Sequence, residues 1–322
     1  MNFSPFSSRL FSIILTAIAP ILWGTTYIVT TQFLPENRPL ASAVIRSLPA
    51  GFLLILLGRR MMPTISWRRL VILGITNIGI FQTMLFVAAY RLPGGIAAVV
   101  GSLQPLIILL LAWTLDQKRP NGTMIIATLA GVGGMTLLFS APGKIWDIGG
   151  LVAALIGTIS MATGTYLSRR WKNDMPLVGF TGWQLVLGGL FILPIAIVME
   201  PPLPPLTITN WLAYGYLTVL GTALAYSLWF RGISKTSPVA VSALGFLSPV
   251  TALVLGWIFL GEGFGQREST GIFIILTSVA LLQISRPQRR QRTRSIASLN
   301  RKNPGIGQFP SHIISYQTNK HI

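Results

Sequence analysis

The sequence predicts an all-α polytopic membrane protein with ten transmembrane helices, arranged as two inverted five-helix repeats. Three observations support this fold class. The composition is 52% hydrophobic and only 10% charged, whereas soluble domains carry about 25% charged residues. Ten apolar segments have the length of a bilayer-crossing helix, roughly 20 residues. Two stretches of the chain also share Gly, Pro and Trp at a constant spacing.

The ten predicted spans follow one another through short polar connections, often with Pro or Gly. We number them span 1 to span 10: residues 10–31, 40–58, 70–89, 94–115, 122–140, 148–167, 177–199, 211–230, 238–260 and 269–285. Span 1 has an alternative interpretation, because Arg9 and an apolar run ending in "AIAP" also match a secretory signal peptide. The apolar run continues past Pro20 to Val29, however, which favours a span.

The distribution of basic residues predicts the topology. Cytoplasmic connections of membrane proteins collect Lys and Arg. With ten spans and a cytoplasmic N-terminus, twelve basic residues before the tail fall on the cytoplasmic side. Four fall on the outer side: Arg38, Arg91, Lys144 and Arg267. Because adding or removing one span destroys this alternation, the charges predict that both termini are cytoplasmic.

Residues 286–322 form a segment of different composition, with eight basic residues and no acidic one. We predict a basic, disordered cytoplasmic tail. Anionic lipid headgroups would attract it by about 1 kcal/mol per nearby charge. No nucleic-acid partner is predicted, because no nucleic-acid-binding fold accompanies the tail.

An internal repeat relates the two halves. Residues 94–113 and 238–257 align without a gap at an offset of 144 residues. The matched positions include Gly101 and Gly245, Pro105 and Pro249, and Trp113 and Trp257. Chance similarity between apolar helices is the alternative. A five-span unit ends on the opposite side from its start, so a second copy is inverted. We therefore predict repeats at residues 1–142 and 143–285.

The matched prolines are predicted hinges. A proline within a helix removes one backbone hydrogen bond and bends the helix. The freed carbonyl group is tolerated in a membrane only where protein or water satisfies it. Pro105 and Pro249 therefore indicate a cavity near the bilayer midplane, although each could also be a simple packing kink.

Three motifs stand out within the first four spans: "WGTTYIV", "RPLASAVIRSLPAG" and "FVAAYRLPGGIAAVVGSLQPLIILLLAW". Together with the repeated Pro-centred helices, they resemble the EamA-type transporters of the drug/metabolite transporter superfamily, most closely the pigment/metabolite exporter branch. The resemblance covers about residues 10–285 and implies a ten-helix carrier of the cell inner (plasma) membrane, usually an exporter of amino acids, pigments or drugs. Members often have Glu after the fourth and ninth spans. Glu262 matches, whereas Asp116 stands in a shifted setting.

Arg46 is a permanent charge inside span 2, roughly 9 Å along the helix. An Arg at the centre of a span costs about 2.5–3.5 kcal/mol on insertion scales. In one interpretation the side chain extends toward the headgroups. In the other it faces a cavity, where its planar fork of donors holds a carboxylate or carbonyl group of the substrate. All seven acidic residues lie at span ends or between spans.

Other polar and aromatic side chains within spans are candidate substrate-binding residues. Together with Arg46 they are Trp23, Thr26, Tyr27, Asn77, Gln82, Gln104, Tyr166, Trp183, Gln184, Tyr226 and Trp229. Each could instead form an interhelical hydrogen bond worth about 0.6 kcal/mol.

The residue inventory argues against an enzyme. The chain has no Cys, both His residues lie in the tail, and no acidic residue lies within a span. We therefore predict no catalytic residue, metal or cofactor, and no phosphate-binding motif is present. The predicted function is secondary transport of a small molecule by alternating access, most favourably export. The alternative is a membrane scaffold or sensor that signals through its tail. A homodimer is compatible with either.

Overall fold

The computed structural model describes residues 5–58, 63–91, 94–139, 147–171, 175–260 and 265–285. These residues form helices joined by turns and short connections, and no strand occurs among them. The expectations for the tail, residues 286–322, and for Glu262 lie outside the described residues.

The fold is all-α, with ten helical spans in the predicted order. Six spans are single helices: span 1 is Pro5–Phe33, span 2 is Pro39–Leu57, span 5 is Gly122–Phe139, span 6 is Ile148–Arg170, span 7 is Leu177–Met199 and span 10 is Gln266–Ile284. Two spans consist of two helices each: span 4 is Gly94–Gly101 and Gln104–Asp116, and span 9 is Pro238–Leu244 and Leu247–Leu260. Two spans consist of three segments each: span 3 is Trp67–Gly74, Ile75–Ile80 and Phe81–Arg91, and span 8 is Ile208–Thr218, Val219–Leu224 and Ala225–Lys235. Spans 3 and 8 begin earlier than predicted, because their first turns are polar and hydropathy alone excludes them.

The spans have the surface of a membrane protein. Eight of the described spans are long and apolar enough to cross a bilayer. Gly122–Leu138 in span 5 is a shorter apolar helix, and span 8 completes the set of ten. Large apolar side chains point away from the protein, including Val198 at 83% and Phe273 at 71% exposure. In water such a surface would be unfavourable, whereas lipid solvates it.

Spans 3 and 8 are each interrupted by a π-helical segment. The segments Ile75–Ile80 and Val219–Leu224 occupy equivalent positions at the 144-residue offset. A π-helix is rare and often marks a functional position. Average hydropathy does not reveal it, because an extra residue per turn leaves the composition of a segment unchanged. Their match extends the repeat from spans 4–5 and 9–10 to spans 3 and 8.

Spans 4 and 9 are broken near their middle. The chain leaves the helix at Ser102 in span 4 and at Gly245 in span 9. Pro105 lies in the first turn of the following helix, where the missing N–H of proline leaves no intrahelical bond unmade. Pro249 is the third residue of Leu247–Leu260. The prolines thus follow a two-residue turn that keeps near-helical backbone angles, and their role as hinges stays a prediction.

Two pairs of equivalent spans pack directly against each other, span 2 against span 7 and span 5 against span 10. Small residues allow the close approach: a Cβ at Gly51 would lie 2.7 Å from the Val186 side chain, and a Cβ at Gly271 would lie 3.1 Å from the Gly134 carbonyl oxygen. Glycines at such contacts are typical of packed membrane helices. The start of span 2 meets the end of span 7 at Glu200. The two helices are therefore antiparallel, as inverted repeats require.

Candidate functional site

A group of polar and aromatic side chains lies among spans 1, 2, 3, 4 and 8. We call it the central cluster: Trp23, Arg46, Gln82, Gln104, Tyr226 and Trp229. Four members are buried, with Gln82 at 0%, Tyr226 and Trp229 at 1% and Arg46 at 8% exposure, whereas Trp23 and Gln104 are partly exposed. Burial of this much polarity in a membrane protein is expensive and marks a functional site more often than not.

Gln82 and Tyr226 form the hydrogen bond at the middle of the central cluster. The Gln82 Nε2 atom lies 3.2 Å from the Tyr226 hydroxyl oxygen, and the two residues are 144 positions apart. They are therefore equivalent residues of the two repeats. A direct contact between equivalent residues places this bond on the pseudo-two-fold axis. Span 2, which carries Arg46, packs against the π-helical segment that precedes Tyr226 in span 8.

Aromatic rings form one wall of the central cluster. The Trp23 ring centroid lies 5.0 Å from that of Tyr226 and 5.1 Å from that of Trp229. Tyr226 also stacks on Phe230 at 6.1 Å. These spacings are those of favourable aromatic pairs. The Trp23 Nε1–H donates to the Gly221 carbonyl oxygen at 3.1 Å, so the π-helical segment of span 8 supplies a backbone acceptor to this wall.

Asn77 and Gln184 lie together in a separate hydrogen-bonded group. The Asn77 amide donates to Gln184 Oε1 at 2.8 Å and to Ser168 Oγ at 3.1 Å. Asn77 lies in the π-helical segment of span 3, and the group ties spans 3, 6 and 7 together. This geometry favours the interhelical-bond interpretation for both residues.

Two further candidates lie near span ends. The Tyr166 hydroxyl accepts a hydrogen bond from Arg170 at 3.0 Å, and Arg170 pairs with Asp116 at 3.0 Å. Trp183 contacts Trp67 edge to face, with ring centroids 4.9 Å apart. We call the end where spans 4 and 6 finish the Arg170 end. The side chain of Tyr27 lies outside the described residues.

The opposite end, where span 7 finishes, is named the Glu200 end. The Glu200 carboxylate accepts hydrogen bonds from the backbone N–H groups of Leu40 and Ala41 at 2.6 and 2.8 Å. It thereby caps the N-terminus of span 2, where negative charge is favoured. A cavity of about 270 Å³ lies beside this cap, with Phe86 and Arg91 in its lining.

Phe86 and Phe230 were not among the predicted site residues. Each lies one helical turn beyond a member of the central bond, Phe86 after Gln82 and Phe230 after Tyr226, and they are equivalent residues. Phe86 lines the cavity at the Glu200 end. Phe230 is only 2% exposed and packs edge to face on Phe180 at 6.0 Å. The 144-residue offset alone could have identified this pair, since neither is polar.

At the Arg170 end, polar contacts join the described spans, and Phe230 is buried. The Arg169 guanidinium donates to the Ser234 carbonyl oxygen and so joins span 6 to span 8. The Arg170–Asp116 ion pair joins span 6 to span 4. Equivalent positions of the two repeats are therefore in different environments: a cavity at one end and packed side chains at the other.

The fold and the site define a polytopic helical membrane protein of two inverted repeats, with a buried polar cluster on their common axis. The EamA-like transporter family matches residues 10–140 and 148–284, and the chain belongs to this family of membrane transport proteins. The two matched segments each cover five spans.

Individual proteins agree with this assignment. Protein PecM of Dickeya dadantii is 46% identical over 282 residues, which cover 86% of this chain and 94% of PecM. The uncharacterized inner membrane transporter YedA of Escherichia coli K12 is 26% identical over 273 residues, covering 83% of this chain and 88% of YedA. A crystal structure with 20% identity aligns with a TM-score of 0.74 over 85% of this chain and 97% of its own. That last likeness concerns the fold.

Proposed function

We propose that the protein is a secondary transporter that exports a small metabolite across the cell inner membrane by alternating access around the central cluster. The observation that carries the proposal is the Gln82–Tyr226 hydrogen bond between equivalent residues. The inner membrane location is supported by the likeness to YedA, and export is the direction usual in the branch that the sequence resembles.

The mechanism follows from the symmetry of inverted repeats. When the two halves exchange conformations, each contact between two residues is replaced by the contact between their equivalents. A contact between equivalent residues is replaced by itself. The Gln82–Tyr226 bond can therefore persist throughout the cycle and serve as a pivot.

Phe86 and Phe230 exchange environments in the same cycle. In the present conformation the cavity lies beside Phe86 at the Glu200 end, while Phe230 is packed at the Arg170 end. After exchange, Phe86 is packed and the cavity opens beside Phe230. The distribution of basic residues supports an outward Glu200 end and cytoplasmic termini.

The remaining expectations complete the proposal. The repeats extend over residues 1–142 and 143–285, and the basic tail, residues 286–322, is held near anionic lipids. A homodimer is compatible with this proposal, because the transport route lies within one chain and so does not depend on the oligomeric state.

A metabolite comparison tests the function. We expect cells that overproduce the protein to release more of at least one small metabolite, and cells that lack it to retain that metabolite. A protein truncated after residue 289 serves as the matched control and should export normally. Unchanged metabolite levels inside and outside both strains would refute the transporter. Loss of function on truncation alone would favour a sensor that acts through the tail.

A further inference from the structure

We propose that the central cluster binds a metabolite in which a carboxylate is joined to a flat conjugated ring. This inference rests on the proposed function, because it names the substrate class of the same site. Three independent properties of the cluster support it: its charge, its unused hydrogen-bonding atoms and its aromatic wall.

The charge of the central cluster is positive. Arg46 is 8% exposed and lies on span 2, which packs against the π-helical segment of span 8, while every acidic residue of the sequence lies at a span end or between spans. Electrostatic interactions strengthen when water is excluded. An anionic group is therefore attracted to the cluster and a cationic substrate is repelled. The planar guanidinium fork suits the two oxygen atoms of a carboxylate.

Buried polar atoms within the cluster lack a hydrogen-bond partner among the described residues. They include Trp229 Nε1, one amide atom of Gln104 and one amide atom of Gln82. Gln82 Nε2–H donates to the Tyr226 hydroxyl oxygen, and Gln82 Oε1 is left without a donor. The indole N–H of Trp229 can only donate, and the unpaired Gln104 atom is its amide nitrogen. Since a buried unsatisfied donor is unfavourable, the Trp229 and Gln104 donors favour an oxygen acceptor on a ligand.

Trp229 and Gln104 are close to each other. An ideal Cβ at Gly245 would lie 3.8 Å from the Trp229 ring and 3.9 Å from Gln104 Oε1. Both side chains therefore converge on the break in span 9. A ligand carboxylate between Arg46 and this break could accept from the guanidinium and from the Trp229 indole.

The aromatic wall selects the remainder of the substrate. Trp23 contacts Tyr226 and Trp229 with ring centroids 5.0 and 5.1 Å apart. Flat conjugated rings stack on such faces, whereas an aliphatic chain gains only contact area. A ring that carries a carboxylate satisfies the charge, the donors and the wall together.

Binding of simple probes to the purified full-length protein in detergent tests this substrate class. Benzoate is the probe, benzamide is its neutral counterpart, and cyclohexanecarboxylate and acetate are acids without an aromatic ring. We expect benzoate to raise the thermal unfolding midpoint in a concentration-dependent manner. Benzamide and acetate should leave the midpoint unchanged, and cyclohexanecarboxylate should act only at higher concentration.

Variants assign the effect to the central cluster. Arg46→Gln should weaken benzoate binding by roughly 30-fold or more, because one partner of a buried charge pair is lost. Arg38→Gln is the matched control at the start of the same span, where Arg38 binds the Pro202 carbonyl oxygen, and it should bind benzoate normally. Trp229→Phe keeps a ring but removes the indole donor and should bind benzoate more weakly. It supplies the measurement if Arg46→Gln does not fold.

The outcomes separate this inference from the proposed function. Equal midpoint shifts with benzoate and benzamide, no shift with benzoate, or an undiminished shift in both Arg46→Gln and Trp229→Phe would overturn the substrate class. If the metabolite comparison still shows export, transport stands and only the class is wrong. If benzoate binds as expected but no metabolite is exported, the site is a binding site and the transport proposal is wrong.

Discussion

Spans 3 and 8 follow the same backbone course with different side chains. Each passes from an α-helix through a six-residue π-helical segment into a second α-helix, and the segments begin 144 residues apart at Ile75 and Val219. The side chains at equivalent positions differ in chemistry. The pairs are Asn77 and Gly221, Gln82 and Tyr226, and Leu85 and Trp229.

The comparison separates two requirements of a carrier. Alternating access needs two halves that can exchange conformations, and this is a property of the backbone. Recognition of one substrate needs particular side chains, and these need not be the same in the two halves. The aromatic wall is therefore built from span 8 and span 1, while span 3 contributes a single amide to the central cluster. The two halves can share a backbone conformation and still differ in their side chains, because the backbone serves the conformational exchange and the side chains serve recognition.

Trp229 and Leu85 provide the largest expected contrast. Trp229→Ala removes a side chain that is 1% exposed, so the free energy of unfolding should fall by about 3–5 kcal/mol. Leu85→Ala changes a half-buried equivalent and should cost less. Unfolding in a detergent titration measures both. An equal decrease in the free energy of unfolding for both variants would show that Trp229 packs no more tightly in span 8 than Leu85 does in span 3.

Phe86 and Phe230 should differ in accessibility. The chain contains no Cys, so a single introduced cysteine can be labelled without background. We expect Phe86→Cys to react with a water-soluble maleimide from the Glu200 side, while Phe230→Cys stays protected. Phe230→Ala loses about 3–5 kcal/mol of packing at the Arg170 end and should shift the population toward opening there. Protection of both cysteines from the reagent on the Glu200 side, or labelling of both from that side, would contradict the difference in environment between the two residues.

Asn77 and Gly221 give a smaller contrast of opposite sign. Asn77→Ala leaves Gln184 and Ser168 without their amide donor, and each orphaned buried group costs about 1–3 kcal/mol. A Cβ at Gly221 would make only ordinary contacts, the nearest at 3.6 Å. Gly221→Ala should therefore be neutral or raise the free energy of unfolding slightly. Thermal unfolding of both variants checks this, and destabilisation by Gly221→Ala would reveal a steric demand in span 8.

The central bond should show the smallest effect on stability. Tyr226→Phe removes the hydroxyl that binds Gln82, which should cost about 0.5–1.5 kcal/mol. If the bond is a pivot, uptake and release through reconstituted protein should change by the same factor, because the bond is present in both conformations. A change confined to one direction would indicate a gate instead. Gln82→Leu is the matching variant in span 3.

Most residues of the candidate site could be predicted from the sequence, but which of them contact one another could not. Trp23, Arg46, Gln82, Gln104 and Tyr226 were recognisable because polar and aromatic side chains stand out in apolar spans. The same criterion also selected Asn77, Tyr166, Trp183 and Gln184, which the fold places in other contacts. Composition cannot separate the two groups, since a polar residue within a span has the same appearance whether it binds a ligand or another helix.

Phe86 and Phe230 show the opposite limitation. Both are apolar residues within membrane spans, so hydropathy does not distinguish them from their neighbours. They are identified as site residues only by their position, one helical turn beyond the Gln82–Tyr226 hydrogen bond. The π-helical segments were equally hidden. Each segment is only six residues long, which is too short for a change in the number of residues per turn to show in the hydrophobic pattern.

The sequence by itself determined the fold class, the number of spans and the internal repeat, because the cost of placing polar groups in lipid acts on each segment independently. Only the tertiary structure decided which side chains meet on the axis, which end holds the cavity and which end is packed. Those features depend on contacts between residues far apart in the chain, and such contacts are set by the packing of whole helices rather than by any one segment.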